Sequence, residues 1–488
     1  MPYKKIAKPF NRLLFLLLTI LLLTITIQAA TSMDTDVKTV PLFTPLSLRD
    51  SSLSARQRQW IEDIEQWPMV KRIEIVRINF DALNDDLVLI NLFSEKEWIA
   101  TKEKVEERKK GEFTWHGKIF EEGSQVILTR RGENLIGSIW IENEFYALKP
   151  LGQGVAAILE IDSEKFLKDF EDYSPEQEDS RMSSQLAGDD GSEMRVLIAY
   201  TNAAVGRLAD ITLESQQLID YSNSTYSNSA VKPRLRLAYV TRADYTESDS
   251  FSTDLDRLAN PSDGYMDVIH DLRDGSGGDF VVLIINDPHP EYCGIAKDIY
   301  AEEHQAFAVV DYRCLLNNTF SHEIGHLQGA RHDEYVDPSD APFAYGHGYS
   351  HPDRSIPADS WRTVMSYPDA CTAAGTTCTW LPYWSNPDIT YRGNPMGTES
   401  TNNNARVLNE TAPTMANFRV LPNDIYWTVY AYFDGQESVL AAKNSVTIDG
   451  GIGLVFSGAK ATIEAPTVTL KGEFKAENGS EFHAHAGY

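Results

Sequence analysis

The stretch FSHEIGHLQGARHDEY, residues 320–335, places three histidines and two glycines within sixteen residues. The side chains of residues 317–319 can cap a helix that begins there. On such a helix His322 and His326 are one turn apart and face the same side, so both imidazoles can bind one zinc ion. Glu323 then lies beside the first ligand, where its carboxylate can take a proton from a water on the metal.

Gly329 predicts how a third ligand reaches the same ion. Glycine readily adopts φ > 0 and can turn the chain sharply out of the helix, so His332 can swing back to the metal. Three neutral histidines leave one position for water, which is the arrangement of a catalytic zinc site. A histidine-rich surface helix is the competing interpretation. The string H-E-x-x-H-x-x-G-x-x-H fixes five positions over eleven residues, however, and a chance match in one chain is very improbable.

The string HEIGHLQGARHD, followed by VMSY at 364–367, resembles the metzincin superfamily of zinc metalloendopeptidases. The resemblance covers residues 194 to about 420. It implies that Met365 lies in a tight turn beneath the zinc ion. It also implies an α/β (α+β) catalytic domain with a mixed twisted sheet and a zinc-binding active-site helix.

Two finer resemblances point to subfamilies. Asp333, directly after the third histidine, resembles the reprolysin or adamalysin type. The segments YCGIA (292–296), TFSHEIGH and the tail between 384 and 419 are similar to the bacterial peptidyl-Asp metallopeptidases. Tyr367 departs from the strict reprolysin pattern, because astacins and serralysins carry a tyrosine there that can approach the zinc.

The resemblance implies supporting roles for several residues. Asp333 is expected to accept hydrogen bonds that fix the loop after His332. Tyr367 is expected either to donate to the oxyanion of the tetrahedral intermediate or simply to pack in the turn. The strand before the helix resembles the edge strand to which metzincins add a peptide substrate, although it could equally be an ordinary sheet strand. The residues of this strand are Ala306, Phe307, Ala308, Val309 and Val310.

The N-terminus and the cysteines indicate an exported protein. A basic stretch, the apolar run 13–27 and small residues after it predict a signal peptide over residues 1–30, with an uncleaved anchor as the alternative. In an exported chain four cysteines indicate two disulfides with three possible connectivities. We prefer local pairing because both pairs are close in sequence, although free buried thiols are possible. The pairs are Cys293–Cys314 and Cys371–Cys378.

Composition and patterning divide the rest of the chain. Residues 31–193 are predicted to be a β-rich propeptide whose polar, acidic stretch 171–193 is an exposed linker. The zinc metallopeptidase domain spans 194–420. Residues 424–488 carry short threonine-rich strand signals, and EFKA recurs as EFHA eight residues later, which predicts a small stacked β-rich module.

Several shorter predictions concern single segments. The charge run 102–111 is expected to be a solvated helix or loop, and residues 263–274 have helical spacing. His289, His304, His347 and His351 are expected to be surface or loop residues. The loops around 333–353 could hold calcium, but they lack EF-type spacing.

The sequence therefore predicts a secreted zinc endopeptidase with one catalytic zinc ion and a protein or peptide substrate. A formal net charge of −27 argues against nucleic acid as a partner, and no stable membrane insertion is expected after signal cleavage. The C-terminal module could bind a surface or another protein. The rival functions are a non-catalytic zinc-stabilised adhesin or binding protein and a zinc hydrolase with a non-peptide substrate.

If residues 31–193 keep the enzyme inactive as a propeptide, they must do so without a cysteine bound to the zinc ion, because they contain none. Asp189 resembles the short Gly-Asp latency motif of astacins. The alternative, which we favour, is that Asp189 and Asp190 only solubilise the linker.

Overall fold

A computed structural model describes residues 39–47, 49–121, 123–166, 191–287, 292–427, 432–433, 437–448, 453–455, 459–471, 474–476 and 478–486. The predicted signal peptide, most of the predicted linker and His289 lie outside the described residues. Residues from Pro41 onward belong to one unit.

The N-terminal region is β-rich, as its alternating apolar residues predict. A capping box formed by Ser54 and Gln57 begins its helix, α1 (Ala55–Glu65). Nine antiparallel strands form one sheet: β1 Phe43–Pro45, β2 Val70–Ile78, β3 Leu87–Phe93, β4 Lys96–Lys109, β5 Glu112–Lys118, β6 Gln125–Arg131, β7 Asn134–Ile141, β8 Glu144–Gly152 and β9 Val155–Ile161. Their order across the sheet is β1-β2-β9-β8-β7-β6-β5-β4-β3.

The prediction that the charge run 102–111 is a helix or loop is wrong. Most of it lies in β4, whose backbone pairs with β3 on one side and β5 on the other. Gly111 has a φ of 81° and follows Lys110 in the tight turn that joins β4 to β5. The strand forms because its backbone is paired, although most of its charged side chains remain exposed.

The second sheet combines parallel and antiparallel strands, as predicted for the central region. Its strands are β10 Glu193–Thr201, β11 Arg234–Ala243, β12 Phe280–Ile285, β13 Gly294–Ala296 and β14 Phe307–Asp311. Their order is β11-β10-β12-β14-β13, and β13 is the antiparallel strand. Every residue of β12 is buried, which explains its continuous apolar sequence.

Seven further α-helices accompany this sheet in the described part of the chain. They are α2 Asn202–Val205, α3 Ile211–Asn228, α4 Phe251–Ala259, α5 Val268–Ser276, α6 Thr319–Leu327, α7 Asp369–Ala374 and α8 Asn404–Met415. Helix α5 begins later than the pattern of residues 263–274 predicts, because Gly264 has a φ of 85° and cannot lie in a helix. Short strands complete the region: β15 Ser350–His351, β16 Trp361–Arg362, β17 Thr379–Trp380, β18 Asn386–Tyr391 and β19 Asn394–Met396.

Two disulfides pair the cysteines locally, in agreement with the preferred connectivity. Cys293 is bonded to Cys314, which links the start of β13 to the segment just before α6. Cys371 is bonded to Cys378 and closes the short loop after α7. The described residues contain no free cysteine.

The N-terminal sheet is held on helix α3 by buried polar contacts. Lys149 Nζ lies 3.1 Å from Glu214 Oε1, and both side chains are almost fully buried. Arg108 Nη2 donates to both carboxylate oxygens of Asp220, at 2.7 and 2.9 Å. Removing one partner of a buried ion pair leaves the other charge buried without a counter-charge. These contacts therefore specify one geometry in which the sheet packs on helix α3.

The C-terminal module is a stack of coils in which every strand pairs in parallel. Its strands are β20 Asp424–Trp427, β21 Tyr432–Phe433, β22 Glu437–Ala441, β23 Ser445–Ile448, β24 Gly453–Val455, β25 Lys460–Ala465, β26 Thr467–Leu470, β27 Phe474–Ala476 and β28 Glu481–Ala486. They form three sheets, β20-β23-β26, β21-β24-β27 and β22-β25-β28.

The structural repeat of this module is longer than the sequence repeat. Asp424 pairs with Ser445 and Ser445 with Thr467, so one coil takes roughly 21 residues. EFKA and EFHA correspond to β27 and β28, which lie in different sheets. The eight-residue repeat therefore joins two sides of one coil rather than two successive coils.

Candidate metal centre

Helix α6 carries the first two predicted ligands in the protein interior. All nine of its residues are buried. The Asn317 side chain accepts a hydrogen bond from the Thr319 N–H at 2.7 Å, which satisfies one donor at the start of the helix. Ser321 contacts Ser222 of α3 through their hydroxyls at 2.8 Å. Because α6 is packed on all sides, His322 and His326 have fixed orientations on one face.

Gly329 turns the chain out of α6, as predicted. Its φ is 103°, and the Ala330 N–H reaches back to the Gly325 carbonyl at 2.9 Å. A Cβ at position 329 would lie 2.8 Å from Cε2 of Phe343, so the site excludes a larger residue by contact as well as by conformation. This turn directs His332 back toward the helix.

The three imidazoles meet at a single point. His332 Nε2 lies 3.0 Å from His322 Nε2 and 2.9 Å from His326 Nε2. The opposite nitrogens of the two helical rings donate outward: His322 Nδ1 to the Val364 carbonyl at 3.0 Å, and His326 Nδ1 to the Ala330 carbonyl at 2.9 Å. These bonds select the tautomer in which both Nε2 atoms carry lone pairs directed at the meeting point.

This donor set fits a zinc ion. Lone pairs that face one another at 3 Å repel, and a cation bound between them removes that repulsion. Burial lowers the pKa of His322 to about 4 and that of His326 well below its usual value, so both rings are neutral near pH 7, as ligands must be. Among the described residues, the group of metal-binding side chains that meets closely enough to hold an ion is His322, His326 and His332.

Glu323 points from α6 toward the outer strand of the second sheet. It is fully buried. A Cβ at Gly294, the first residue of β13, would lie 2.6 Å from Glu323 Oε1. Any side chain at position 294 would therefore displace the carboxylate. The glycine of the YCGIA segment makes room for Glu323, a function that the sequence pattern does not reveal.

Met365 lies in a tight turn directly against α6. The Ser366 N–H donates to the Thr363 carbonyl at 3.0 Å, which closes the turn. A Cβ at Gly325 would lie 3.1 Å from Met365 Sδ and 2.6 Å from the ring of Trp384. The helix therefore packs closely against Met365 and Trp384 at Gly325. This close packing positions both histidines of the helix.

Asp333 connects the loop after the third histidine to the turn that contains Met365. Its carboxylate accepts the Tyr367 N–H at 2.8 Å and the Tyr335 N–H at 3.2 Å. Burial raises the pKa of Asp333, and these two hydrogen bonds oppose the rise. The ring of Tyr367 packs over that of His332, with centroids 4.4 Å apart.

The prediction that Ala306–Val310 is an edge strand is wrong. Strand β14 lies inside the sheet, parallel to β12 on one side and antiparallel to β13 on the other. The edge on this side of the sheet is β13, Gly294–Ala296. Three residues are too few to show a strand pattern, so the sequence identified the neighbouring, longer apolar run instead.

His347 was expected to be a surface or loop residue, and the surface position is wrong. Its ring is buried, and Nδ1 donates to the backbone carbonyl of His332 at 2.7 Å. The next residue, Gly348, packs closely against the turn that contains Met365, since a Cβ there would lie 2.7 Å from the carbonyl carbon of Met365. The pattern Gly-His-Gly was the available signal for this residue.

Comparisons with known proteins agree with this geometry. The family model for metallo-peptidase family M12, Reprolysin_5, matches residues 190–384. A peptidyl-Asp metalloendopeptidase of Stenotrophomonas maltophilia (strain R551-3) is 36% identical over 403 residues, covering 78% of this chain and 94% of the relative. The enzyme of the same name from Xanthomonas campestris pv. campestris is 34% identical over 398 residues, covering 77% and 92%.

The site and these similarities define a zinc metalloendopeptidase of the M12 class. Within that class, the chain belongs to the family of bacterial peptidyl-Asp metalloendopeptidases. No helix in the described part of the chain is both long and apolar enough to cross a membrane.

Replacement of His332 by alanine is predicted to weaken zinc binding by more than about 100-fold, because one of three converging nitrogens is lost. Competition with a chromophoric chelator measures the affinity. His304→Ala is the matched control, since that side chain is 76% exposed and lies outside the triad. Stoichiometric tight zinc in His332→Ala would show that the third ligand lies elsewhere.

Proposed function

We propose that this protein is an exported zinc endopeptidase in which Glu323 is the general base. The observation that carries the proposal is the convergence of three buried imidazoles, in which His332 Nε2 lies within 3.0 Å of Nε2 of both His322 and His326, together with a buried glutamate next to the first ligand in the sequence. A site that held zinc only for structure would not need this glutamate. Metal ligands on a helix and a carboxylate next to the first of them suit hydrolysis of a carbonyl compound.

A zinc ion held by His322, His326 and His332 would acidify a water and polarise the carbonyl of the scissile bond. Glu323 is proposed to take a proton from the attacking water and to pass it to the nitrogen of the leaving amine. The Val364 and Ala330 carbonyls keep the two helical rings oriented throughout, because they accept from nitrogens that do not face the ion.

Strand β13 is proposed to align the substrate. It lies at one edge of the sheet, and its first residue, Gly294, packs against the Glu323 carboxylate. A peptide added beside β13 in an extended conformation would present its backbone carbonyls close to the catalytic glutamate. This arrangement favours an extended peptide over a compact non-peptide substrate.

The relatives' name suggests the substrate class. We infer that this chain cleaves peptide bonds next to aspartate, as the names of the two relatives indicate for those enzymes. Digestion of an unfolded protein followed by mass spectrometry tests the inference. Cleavage without aspartate at the cut site would contradict it, and hydrolysis that a zinc chelator does not block would exclude the zinc mechanism. A non-catalytic adhesin would give no cleavage at all.

Residues 41–166 are proposed to be the folded part of a propeptide. Their sheet is bound to helix α3 of the catalytic region through Lys149, Arg108 and their carboxylate partners. Together with the apolar N-terminal run and two disulfides, this supports secretion as a zymogen.

Glu323→Gln is predicted to retain the fold and one bound zinc ion while kcat falls by about 10²- to 10⁴-fold, because glutamine keeps the shape but cannot carry the proton. Peptidase assays and metal analysis on the same preparation measure both properties. Activity within tenfold of the wild type would remove Glu323 from the role of base.

Tyr367 is proposed to donate its hydroxyl to the oxyanion. Tyr367→Phe keeps the ring that packs on His332 and removes only this donor. We expect kcat to fall by about 10²- to 10³-fold with KM and melting temperature unchanged. A kcat within threefold of the wild type would assign Tyr367 to packing alone.

The double variant Asp189→Ala, Asp190→Ala tests the source of latency. Because we favour a solubilising role for both carboxylates, the unprocessed variant is predicted to be as inactive as the unprocessed wild type. Both should become active after limited proteolysis between residues 171 and 193. Activity in the unprocessed variant alone would instead make these aspartates the inhibitory group.

A further inference from the structure

Helix α3 presents a row of polar side chains to the N-terminal sheet. Their spacing of three or four residues places them along one side of the helix. The three carboxylates of the row bind cations that come from three different strands, β6, β8 and β4, and an amide between them binds a hydroxyl. These contacts are Arg131–Asp210 at 2.7 Å, Lys149–Glu214 at 3.1 Å, Thr129–Gln217 at 2.6 Å and Arg108–Asp220 at 2.7 Å.

The same helix holds the active-site helix along its whole length. Asn318 precedes α6, Ser321 lies within it and Gln328 follows it. Each of the three is hydrogen-bonded to a hydroxyl of α3, in the contacts Asn318–Tyr221 at 2.8 Å, Ser321–Ser222 at 2.8 Å and Gln328–Tyr226 at 2.5 Å. Helix α3 therefore lies between the N-terminal sheet and the helix that carries His322 and His326.

The part of α3 that holds α6 is a poor helix former by itself. Residues 221–228 have the sequence YSNSTYSN, and tyrosine, serine, asparagine and threonine all rank low in helix propensity. A helix of this length is marginal in water even with better residues, so its stability must come from packing. The row of contacts with the N-terminal sheet begins at the other end of α3 and supplies that packing.

The N-terminal region also contacts the segments that lead into both helices. Trp60 Nε1 donates to the Gly206 carbonyl, directly after α2, at 3.2 Å. The ring of Trp67 packs edge-on against that of Tyr312, with centroids 5.7 Å apart. Tyr312 begins the 3-10 turn Tyr312–Leu316 that precedes α6. None of these contacts is made with a zinc-binding histidine, so the N-terminal region supports the metal centre from behind.

We propose that the N-terminal sheet, residues 41–166, is a folding template for α3 and, through α3, for the metal centre. Cations from three strands must be in place before the row on α3 is matched, so the sheet folds first and α3 forms on it. This goes beyond the proposed peptidase function, because it assigns a separate task to the N-terminal region. Carboxylates and amides are readily solvated, so the row on α3 suits exposure to water once the sheet has left.

The test compares refolding of the full chain with that of the chain cut between residues 171 and 193, with both pieces kept together in equal amounts. Both proteins carry Glu323→Gln, so that folded molecules cannot digest unfolded ones. They are unfolded in guanidinium with their disulfides intact and diluted into buffer that contains zinc. The readout is the number of zinc ions bound per catalytic piece after gel filtration, relative to a sample that was never unfolded.

The full chain should recover its zinc to an extent that does not depend on protein concentration, because its template is attached. The cut protein should recover less than about one tenth as much at micromolar concentration, and its recovery should rise with concentration, because two pieces must meet. Equal recovery in both proteins at every concentration would overturn the template role and leave the endopeptidase function intact. A native wild-type protein that cleaves no unfolded protein would refute the proposed function without altering this readout.

Lys149→Gln in the full chain distinguishes a template from a contact made after folding. A template contact forms early, so its loss should slow the return of zinc binding by more than about tenfold and change the unfolding rate by less than about threefold. Faster unfolding with an unchanged refolding rate would contradict the proposal. Arg131→Gln replaces Lys149→Gln if the latter does not fold. Its pair with Asp210 is partly exposed, so a slowing of about threefold is expected.

Ile463→Ala is the matched control for these rates. Ile463 is fully buried in β25 of the C-terminal module, so its loss destabilises the chain without touching the N-terminal sheet or α3. The rate at which zinc binding returns should stay within about twofold of the rate for the unsubstituted chain. A slowing equal to that of Lys149→Gln would make the effect one of general destabilisation and overturn the template role.

Discussion

The convergence of three imidazoles inside the protein, with His332 Nε2 within 3.0 Å of Nε2 of His322 and of His326, is the constraint on which the surrounding structure depends. Each must carry its lone pair toward the same point, so the other nitrogen of each helical ring must donate elsewhere. The carbonyls that accept from them come from two different segments, the turn at Val364 and the loop at Ala330. The histidines can therefore be placed correctly only when the helix, the loop after it and the turn have all folded.

Glycines allow the close contacts of helix α6 that this placement of the histidines requires. Gly325 lets the helix rest on Met365 and Trp384, and Gly294 leaves space for the Glu323 carboxylate. Gly329 supplies the backbone conformation that returns the third ligand. A methyl group at Gly294 would contact Glu323, and one at Gly325 would contact Trp384 and Met365, which links small residues far apart in sequence to one chemical function.

The local parts of the site were predictable from the sequence because they depend on spacing along one chain segment. Helical geometry relates His322 to His326, and one glycine accounts for the return of His332. The parts that were missed depend on partners distant in sequence. Strand β13 has only three residues, and its outer position is set by pairing with β14. His347 resembles any loop histidine until the fold brings the backbone carbonyl of His332 to it.

The same distinction applies to the fold. The long apolar runs of the second sheet and the alternating strands of the N-terminal sheet were recognisable, because burial on one or both faces leaves a pattern. Strand β4 was not, since backbone pairing on both sides stabilises it while its side chains stay solvated. The coil repeat of the C-terminal module was hidden because its strands are short and pair across roughly 21 residues.

Anomalous diffraction at the zinc absorption edge, from crystals of the zinc-loaded protein, tests the central claim most directly. We expect one peak bonded to Nε2 of His322, His326 and His332 at about 2.0–2.1 Å. A zinc peak bonded to other side chains, or one of the three imidazoles turned away from it in an active preparation, would contradict the account.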